Sequence, residues 1–205
     1  MASDTVLLTI YNLALSHIGQ KPVANTTDET QPEVLACNTH FPNARDSVLA
    51  QIAFPFNSAP IELSLYTTID SASIPGWTYY YTYPASALSI WEVYSSSNAA
   101  TATEKDFEVR YLPAVSAKII CTDEASAYAN SSYLVTDYTL WDDRFIEAVS
   151  YKLAASIVIP LTGDAELAAR FRDMYQVMVS ESKRKSAREK RKKQTITSAY
   201  KSSRG

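Results

Sequence analysis

The sequence predicts an α+β protein, in which a four-helix bundle carries an antiparallel β domain inserted between helices 2 and 3 and ends in an extended basic C-terminal helix or arm. Three observations predict this class. Apolar residues recur with helical period near both ends of the chain, ten of the fourteen tyrosines fall between residues 58 and 138, and the last 23 residues are strongly basic. The predicted parts are 1–57 (helices 1 and 2), 58–138 (β domain), 139–182 (helices 3 and 4) and 183–205 (arm).

Two helices are predicted before residue 57. Ser3 or Asp4 begins the first, and Gly19 ends it as a left-handed cap. Pro32 lies in the first turn of the second, and Pro42 inside it is expected to kink or split that helix. The apolar positions that predict them are Val6, Leu7, Ile10, Leu13, Ala14 and Ile18, and then Val34, Leu35, Phe41, Ala44, Val48, Leu49 and Ile52.

The middle of the chain is rich in Tyr, Ser and Thr and alternates in polarity, which is typical of β-strands. Trp77, Tyr79, Tyr81 and Tyr83 would lie on one face of a strand, either as sheet core or as an aromatic surface for a partner. Residues 95–103 predict a long hairpin loop. The predicted strands are 62–68, 77–83, 88–94, 106–112, 118–122 and 133–137.

The third and fourth helices have the clearest pattern. Thr139 is predicted to cap the third helix, Asp142 and Asp143 complement its dipole, and Pro160 is expected to end it. Asp164 or Thr162 is predicted to cap the fourth helix. The apolar residues that recur with helical period are Phe145, Val149, Leu153 and Ile157 in the third helix and Leu167, Phe171, Met174, Tyr175 and Met178 in the fourth. The short turn 160–164 makes the two helices antiparallel neighbours.

The arm has a charge opposite to that of the rest of the chain. Residues 183–205 contain ten Lys or Arg and one acid, a net charge of +9, so the other 182 residues carry −12 within the overall −3. Glu181, Lys185, Glu189 and Lys193 repeat at i, i+4 and favour a helix that continues to about residue 193, roughly 45 Å from residue 164. Residues 180–194 hold almost no apolar side chain, so the arm is expected to bind an acidic protein, to contact DNA phosphates, or to remain solvated.

Composition weighs against several protein classes. No run of about 18 apolar residues predicts a membrane span, and the N-terminal residues do not resemble a signal peptide, so we expect a protein kept in the cytosol. Cys37 and Cys121 are predicted to be reduced, buried thiols. The chain has four glycines and no glycine-rich phosphate loop, and its two histidines offer little for a metal site, so we expect neither cofactor nor metal.

Few residues suggest catalysis, and we expect a protein that is not an enzyme. Cys37 and His40 are spaced to share a helix face, although a packed helix also explains them. Two carboxylate groups could serve glycoside hydrolysis: Glu104, Asp106 and Glu108 on one side of a strand, or Asp142 and Asp143. The first group is also typical of a protected sheet edge and the second of a helix start.

Several segments together resemble the tail tubular protein A family of T7-like podoviruses. The segments are Arg45-Asp46-Ser47-Val48-Leu49-Ala50, Phe54 to Phe56, Gly76 to Pro84 with Leu88, Trp141-Asp142 with Phe145, Leu153-Ala154-Ala155, and Pro160 to Asp164 with Leu167, Ala168 and Tyr175. The resemblance extends from the first helix to about Met178 and consists of structural residues rather than a catalytic motif. Where relatives often have Pro-Trp after the second helix, this chain has Phe54-Pro55-Phe56.

The resemblance implies a structural virion protein, a head-to-tail adaptor that is assembled in the host cytoplasm and then located at the head-tail interface. Such an adaptor forms a closed ring of twelve copies between the portal and the nozzle protein, tail tubular protein B, with tail fibres attached nearby. DNA is retained by the ring and passes through it without sequence-specific binding. The alternatives are a tail accessory protein with peptidoglycan hydrolase activity and a DNA-binding protein that acts through the arm.

The resemblance also implies which residues meet these partners. The portal-binding arm would comprise Lys183, Arg184, Lys185, Arg188, Lys190, Arg191, Lys192, Lys193, Lys201 and Arg204. A surface for the other tail proteins would comprise Tyr80, Glu104, Asp106 and Glu108.

Overall fold

The computed structural model describes residues 2–67, 74–97, 102–113 and 116–189, and these form an α+β fold. The helices within these ranges are α1 (Ala2–His17), α2 (Pro32–Gln51), a short 3₁₀ helix (Tyr138–Leu140), α3 (Asp143–Thr162) and α4 (Ala165–Glu189). The strands are β1 (Ser58–Glu62), β2 (Tyr79–Thr82), β3 (Ala87–Tyr94), β4 (Glu104–Lys105), β5 (Phe107–Leu112), β6 (Ala117–Thr122) and β7 (Tyr128–Tyr133). The α+β class is therefore confirmed.

Helix α3 is the centre of the helical core, because it packs against α1, α2 and α4. Its Phe145 is fully buried, and its ring centroid lies 4.6 Å from that of Trp141 and 5.3 Å from those of Phe54 and Phe56. These edge-on contacts join α3 to the chain that follows α2. By length and composition alone α3 could also cross a membrane, but half of that apolar window is buried inside the protein, as expected of a core helix.

The ends of α3 differ from the prediction. Asp142, rather than Thr139, is the N-cap, since its Oδ1 accepts a hydrogen bond from the backbone N–H of Phe145 at 2.7 Å. Thr139 lies instead in the 3₁₀ helix, where its N–H and hydroxyl both donate to Asp137. The expectation that Pro160 ends the helix was also wrong.

Helix α3 continues through Pro160 because its last turn is closed by other groups. The Thr162 hydroxyl donates to the Val158 carbonyl at 2.7 Å, and the N–H of Gly163 donates to the Ile159 carbonyl at 2.9 Å. Gly163 has a φ of 75°, a left-handed conformation that favours glycine. Asp164 then caps α4 as predicted, by accepting from the N–H of Leu167.

The first two helices largely follow their predicted patterns. Gly19 has a left-handed φ of 73°, and Pro32 is the first residue of α2. Helix α2 is continuous through Pro42, so the predicted split is not observed, and Val34, Phe41 and Val48 along its buried face hold it together. Three residues predicted on buried stripes are exposed at the margins of these stripes: Leu13 (36%), Leu35 (49%) and Met174 (46%).

Two antiparallel sheets follow α2 in the chain. The first has the strand order β1-β7-β3-β4 and the second has the order β2-β6-β5. Four predicted strands correspond to β2, β3, β5 and β6, whereas the strands predicted at 62–68 and 133–137 were wrong, because the chain pairs at Ser58–Glu62 and Tyr128–Tyr133 instead. Within 62–68, Leu65 makes only an isolated bridge to Tyr81. The predicted loop 95–103 precedes β4, and its residues 98–101 lie outside the described ranges.

The two sheets pack face to face around a small apolar core. Tyr81, Val93, Ile120 and Ala129 are buried there, and Tyr79 and Tyr83 pack against them. Three of the four aromatic residues predicted to share a face do so, and they form sheet core. Trp77 instead packs with Tyr80, Ile119 and Cys121 on the opposite face of the second sheet.

The contact between Phe145 and its aromatic neighbours yields a stability prediction. Replacing Phe145 with Ala should lower the free energy of unfolding by about 3–5 kcal/mol, because it empties a fully buried site between α3 and the chain after α2. Urea denaturation followed by far-UV circular dichroism measures this loss. The matched control is Leu140→Ala, at a side chain that is 54% exposed, which should change the unfolding free energy by no more than about 0.5 kcal/mol. Equal losses in both variants would contradict the central position of α3.

Candidate interaction surface

Helix α4 is the element that connects the helical core to the basic arm. Its inner face buries Ala168, Phe171, Tyr175 and Val179 against α3. The Tyr175 hydroxyl donates to Gln51 Oε1 at 3.0 Å, which also attaches α4 to α2. Helix α4 is therefore fixed in direction as far as Val179.

Helix α4 is longer than the helix it packs against. It has 25 residues and α3 has 20, and the two are joined by two residues, so an antiparallel arrangement leaves about five residues of α4, roughly 7 Å, past the first residue of α3. Between residues 180 and 194 the sequence has a single apolar residue, Ala187. The last turns of α4 thus form a helix that has no apolar stripe of its own and that extends beyond the length of α3.

The predicted portal-binding residues divide between α4 and the residues that follow it. Lys183, Arg184, Lys185 and Arg188 belong to α4, whose described length ends at Glu189. The remaining six, Lys190, Arg191, Lys192, Lys193, Lys201 and Arg204, lie outside the described residues, as does the part of the predicted helix from 190 to 193.

Of the four residues predicted to face tail partners, Glu104, Asp106 and Glu108 are exposed and Tyr80 is buried. Glu104 lies in β4 of the first sheet, Glu108 lies in β5 of the second, and Asp106 lies between these strands, so they do not alternate along a single strand. Tyr80 is only 4% exposed, and its hydroxyl shares its one proton between the carbonyls of Ile74 and Trp77, at 3.0 and 2.9 Å. Tyr80 is therefore a core residue, and its assignment to a partner surface was wrong. The sequence signal failed because two successive tyrosines, Tyr80 and Tyr81, are buried on opposite faces of one strand.

Glu108 is held in a local polar cluster on the outer face of the second sheet. Its Oε2 accepts hydrogen bonds from Arg110 Nη2 at 2.8 Å and from Trp77 Nε1 at 3.0 Å. These bonds, from Arg110 first and Trp77 second, lower the pKa of the Glu108 carboxyl. A general acid in glycoside hydrolysis needs a raised pKa, so the environment of Glu108 is the opposite of the one that role requires.

The Cys37 and His40 pair also lacks the character of a nucleophilic site. Burial raises the pKa of the Cys37 thiol to about 12, and the nearby charge of Glu33 adds to this, so the thiol stays protonated at neutral pH. Both cysteines are free and buried, as predicted. Among the described residues, no group of three or more His, Cys, Asp and Glu side chains is arranged to hold a metal ion.

The structure brings together one Ser-His pair that the sequence did not predict. His17 at the end of α1 lies with Nε2 3.2 Å from Ser150 Oγ in α3, and its ring stacks on Tyr151 with centroids 4.3 Å apart. The two residues are 133 positions apart in the chain, so no local pattern could have revealed them.

Hydrogen bonding gives this pair a structural role. The Ser150 hydroxyl donates its only proton to the Glu147 carbonyl at 2.8 Å, so His17 Nε2 donates to Ser150 rather than accepting its proton. Ser150 is also fully buried, which keeps its hydroxyl away from any substrate. The pair fastens the end of α1 to α3.

Comparison of the chain with protein-family models and with curated proteins found no match. What the protein does is therefore inferred from its own residues and from the resemblance stated for the sequence.

The environment of His17 predicts a pH dependence of stability. Burial lowers the pKa of His17, and the opposing influence of Glu147 is smaller. Above the unfolded-state pKa of about 6.5 the imidazole is neutral in both states. As the pH falls below that value, the imidazole of the unfolded state binds a proton before that of the folded state does. The free energy of unfolding therefore decreases as the pH falls from about 6.5 to the lower folded-state pKa.

Melting temperatures measured at pH 7.5 and 5.5 test this. The decrease in melting temperature from pH 7.5 to pH 5.5 should be smaller in His17→Phe than in the unmodified protein. Phenylalanine can still stack on Tyr151, but it cannot bind a proton. Leu13→Phe, at an exposed side chain of the same helix that binds no proton, is the control and should retain the full decrease. A decrease unchanged by His17→Phe would contradict the role assigned to His17.

Proposed function

We propose that this protein is the head-to-tail adaptor of a short-tailed phage. Copies of it form a ring between the portal and the tail nozzle, and its basic arm binds the portal. One observation carries the proposal: α4 is fixed to the core as far as Val179 and then continues as a helix to Glu189 through a segment that has almost no apolar residue and that contains the first four basic residues of the arm. A rigid base that directs a cationic helix outward is suited to docking on an acidic neighbour.

The proposed architecture is a bundle of α1 to α4 with the two sheets inserted between α2 and α3. It is supported by the packing of α3 against the three other helices and by the chain order of the elements. The insertion begins and ends at paired strands, because Ser58 of β1 lies opposite Ser132 of β7. A compact body of this kind can form the wedge that a closed ring requires, with one surface meeting a different surface of the next copy.

The charge distribution supports the choice of partner. Outside residues 183–205 the chain carries a net −12, and the arm carries +9. An arm that reaches the acidic body of the next copy brings opposite charges together, and the acidic bodies would repel DNA passing through the ring. This distribution suits a channel that lets DNA slide without holding it.

The hydrolase alternative receives less support. Asp142 is the N-cap of α3, Glu108 is ion-paired with a lowered pKa, and Glu104 and Glu108 belong to different sheets. Two of the carboxylates suggested for hydrolysis, Asp142 and Glu108, thus have structural roles.

Truncation after Ser182 tests the proposed role of the arm. The truncated protein should lose binding to the portal protein of the same virus, measured by co-sedimentation and by electron microscopy of the mixture. Because Val179 and the rest of the described buried stripe are retained, its melting temperature should stay within a few degrees of the full-length value.

Two further variants separate charge from shape. In one, the ten basic residues of the arm are replaced with Gln, and in the other the arm sequence is shuffled with its composition kept. If the Gln variant loses portal binding and the shuffled variant keeps it, the contact is a general electrostatic one. If both variants lose portal binding, the arm presents a defined docking surface. Full portal binding by the truncated protein would overturn the proposal. Binding of the arm to a DNA duplex, with a steep dependence on salt and no portal binding, would favour the DNA-binding alternative.

A further inference from the structure

Strand β5 lies at one edge of the second sheet. The order β2-β6-β5 pairs β5 with β6 on one side only among the described residues. Its side chains Val109 and Tyr111 are 41% and 59% exposed. An edge strand with exposed apolar side chains is a site where another strand can add.

The order of residues in β5 is complementary to itself. Two copies of β5 can be aligned antiparallel so that Val109 of one copy lies opposite Val109 of the other. In this register each Glu108 lies opposite an Arg110, and each Phe107 lies opposite a Tyr111. Residues directly opposite in an antiparallel pair lie on the same face, so unlike charges meet on one face and aromatic side chains meet on the other. Shifting the register by two residues would place Glu108 opposite Glu108 or Arg110 opposite Arg110.

The charged pair within each chain remains compatible with this arrangement. Arg110 Nη2 and Trp77 Nε1 both donate to Oε2 of Glu108, and the second carboxylate oxygen of Glu108 can accept a bond from another chain. Glu108 and Arg110 are 46% and 37% exposed at their side chains, so they can reach a neighbour without leaving their present positions. Charges on an edge strand usually discourage pairing, and here the partner whose charges match is a second copy.

We propose that β5 pairs antiparallel with β5 of a second copy about a two-fold axis at Val109, which joins two three-stranded sheets into one sheet of six strands. The contact is isologous, so it links two copies and cannot by itself extend into a ring. The β5 contact is therefore different from the ring and portal contacts proposed above. A variant that loses the β5 contact can still be tested for portal binding, and a variant that loses portal binding can still be tested for dimer formation.

Reciprocal charge reversal tests the contact. Full-length Glu108→Arg carries two arginines at these positions, and full-length Arg110→Glu carries two glutamates. Each alone should be monomeric in sedimentation-velocity experiments at concentrations where the unmodified protein is dimeric, with a dissociation constant at least about tenfold higher. An equimolar mixture should form a heterodimer, because both arginines of the first variant then face the two glutamates of the second.

The mixture separates an intermolecular effect from an effect on the fold. Both variants have lost their own Glu108–Arg110 ion pair, so a heterodimer can form only through pairing between chains. Dimerisation of either variant alone, failure of the mixture to associate, or a monomeric unmodified protein would overturn the proposal.

Cysteine cross-linking tests the register. In an antiparallel pair centred on Val109, the two Val109 Cα atoms are about 4.5–5.5 Å apart, within the range of a disulfide, and the two Tyr111 Cα atoms are about 14 Å apart. Val109→Cys should therefore form a disulfide-linked dimer under mild oxidation, and Tyr111→Cys, a matched control on the same exposed edge, should not. The native Cys37 and Cys121 are buried and should not react. Cross-linking of Tyr111→Cys in preference to Val109→Cys would contradict this register.

Discussion

The burial of α3 is the constraint on which the rest of the structure depends. Phe145, Val149, Leu153 and Ile157 are completely buried and recur every four residues, so this face can leave water only if other elements surround it. Helices α1, α2 and α4 do so, and polar contacts between helices add to the packing. His17 donates to Ser150 from α1, and Tyr175 of α4 donates to Gln51 of α2. Because α4 lies against α3, the direction of the basic helix is set by the packing of the core.

The sheets are attached to this core at a junction where the chain leaves α2 and later returns. Asn57 is 2% exposed; its side chain accepts from the N–H of Phe54 and donates to the Leu49 carbonyl, and its own carbonyl accepts from the N–H of Tyr133. One buried residue therefore joins the end of α2, the start of β1 and the end of β7. Ser89 Oγ adds a bond to the Ala50 carbonyl at 2.8 Å. Buried hydrogen bonds of this kind fix the angle between the sheets and the helices more strictly than apolar contacts do.

The sequence predicted the helices well because each carries a long periodic stripe, and it predicted the strands well where large side chains alternate. It failed where tertiary contacts override local pattern. Strand β7 reads Tyr-Ala-Asn-Ser-Ser-Tyr, a weak strand by propensity, yet it lies between β1 and β3 and buries Ser131 and Ser132. Pro160 is a strong breaking signal, but Thr162 and Gly163 close the turn beyond it. Tyr80 could not be assigned to core or surface from alternation alone, since the cover over its face comes from Ile74 and Trp77. The pairing of His17 with Ser150 depends on how two distant helices meet.

The chemistry of the described residues indicates where function lies. Three groups that could have been reactive have roles inside the fold: the Cys37 thiol is buried with a pKa raised to about 12, the Ser150 hydroxyl bonds to a backbone carbonyl, and Asp142 caps a helix. Positive charge, by contrast, is concentrated in the arm, where ten basic residues have one acidic residue among them. Since like charges that are close together in the chain repel one another, the arm gains most when an acidic surface neutralises it, and a solvated arm would forgo that gain. The core sets the direction of α4 as far as Val179, and the charge of the arm is the feature on which the proposed assembly with an acidic neighbour depends.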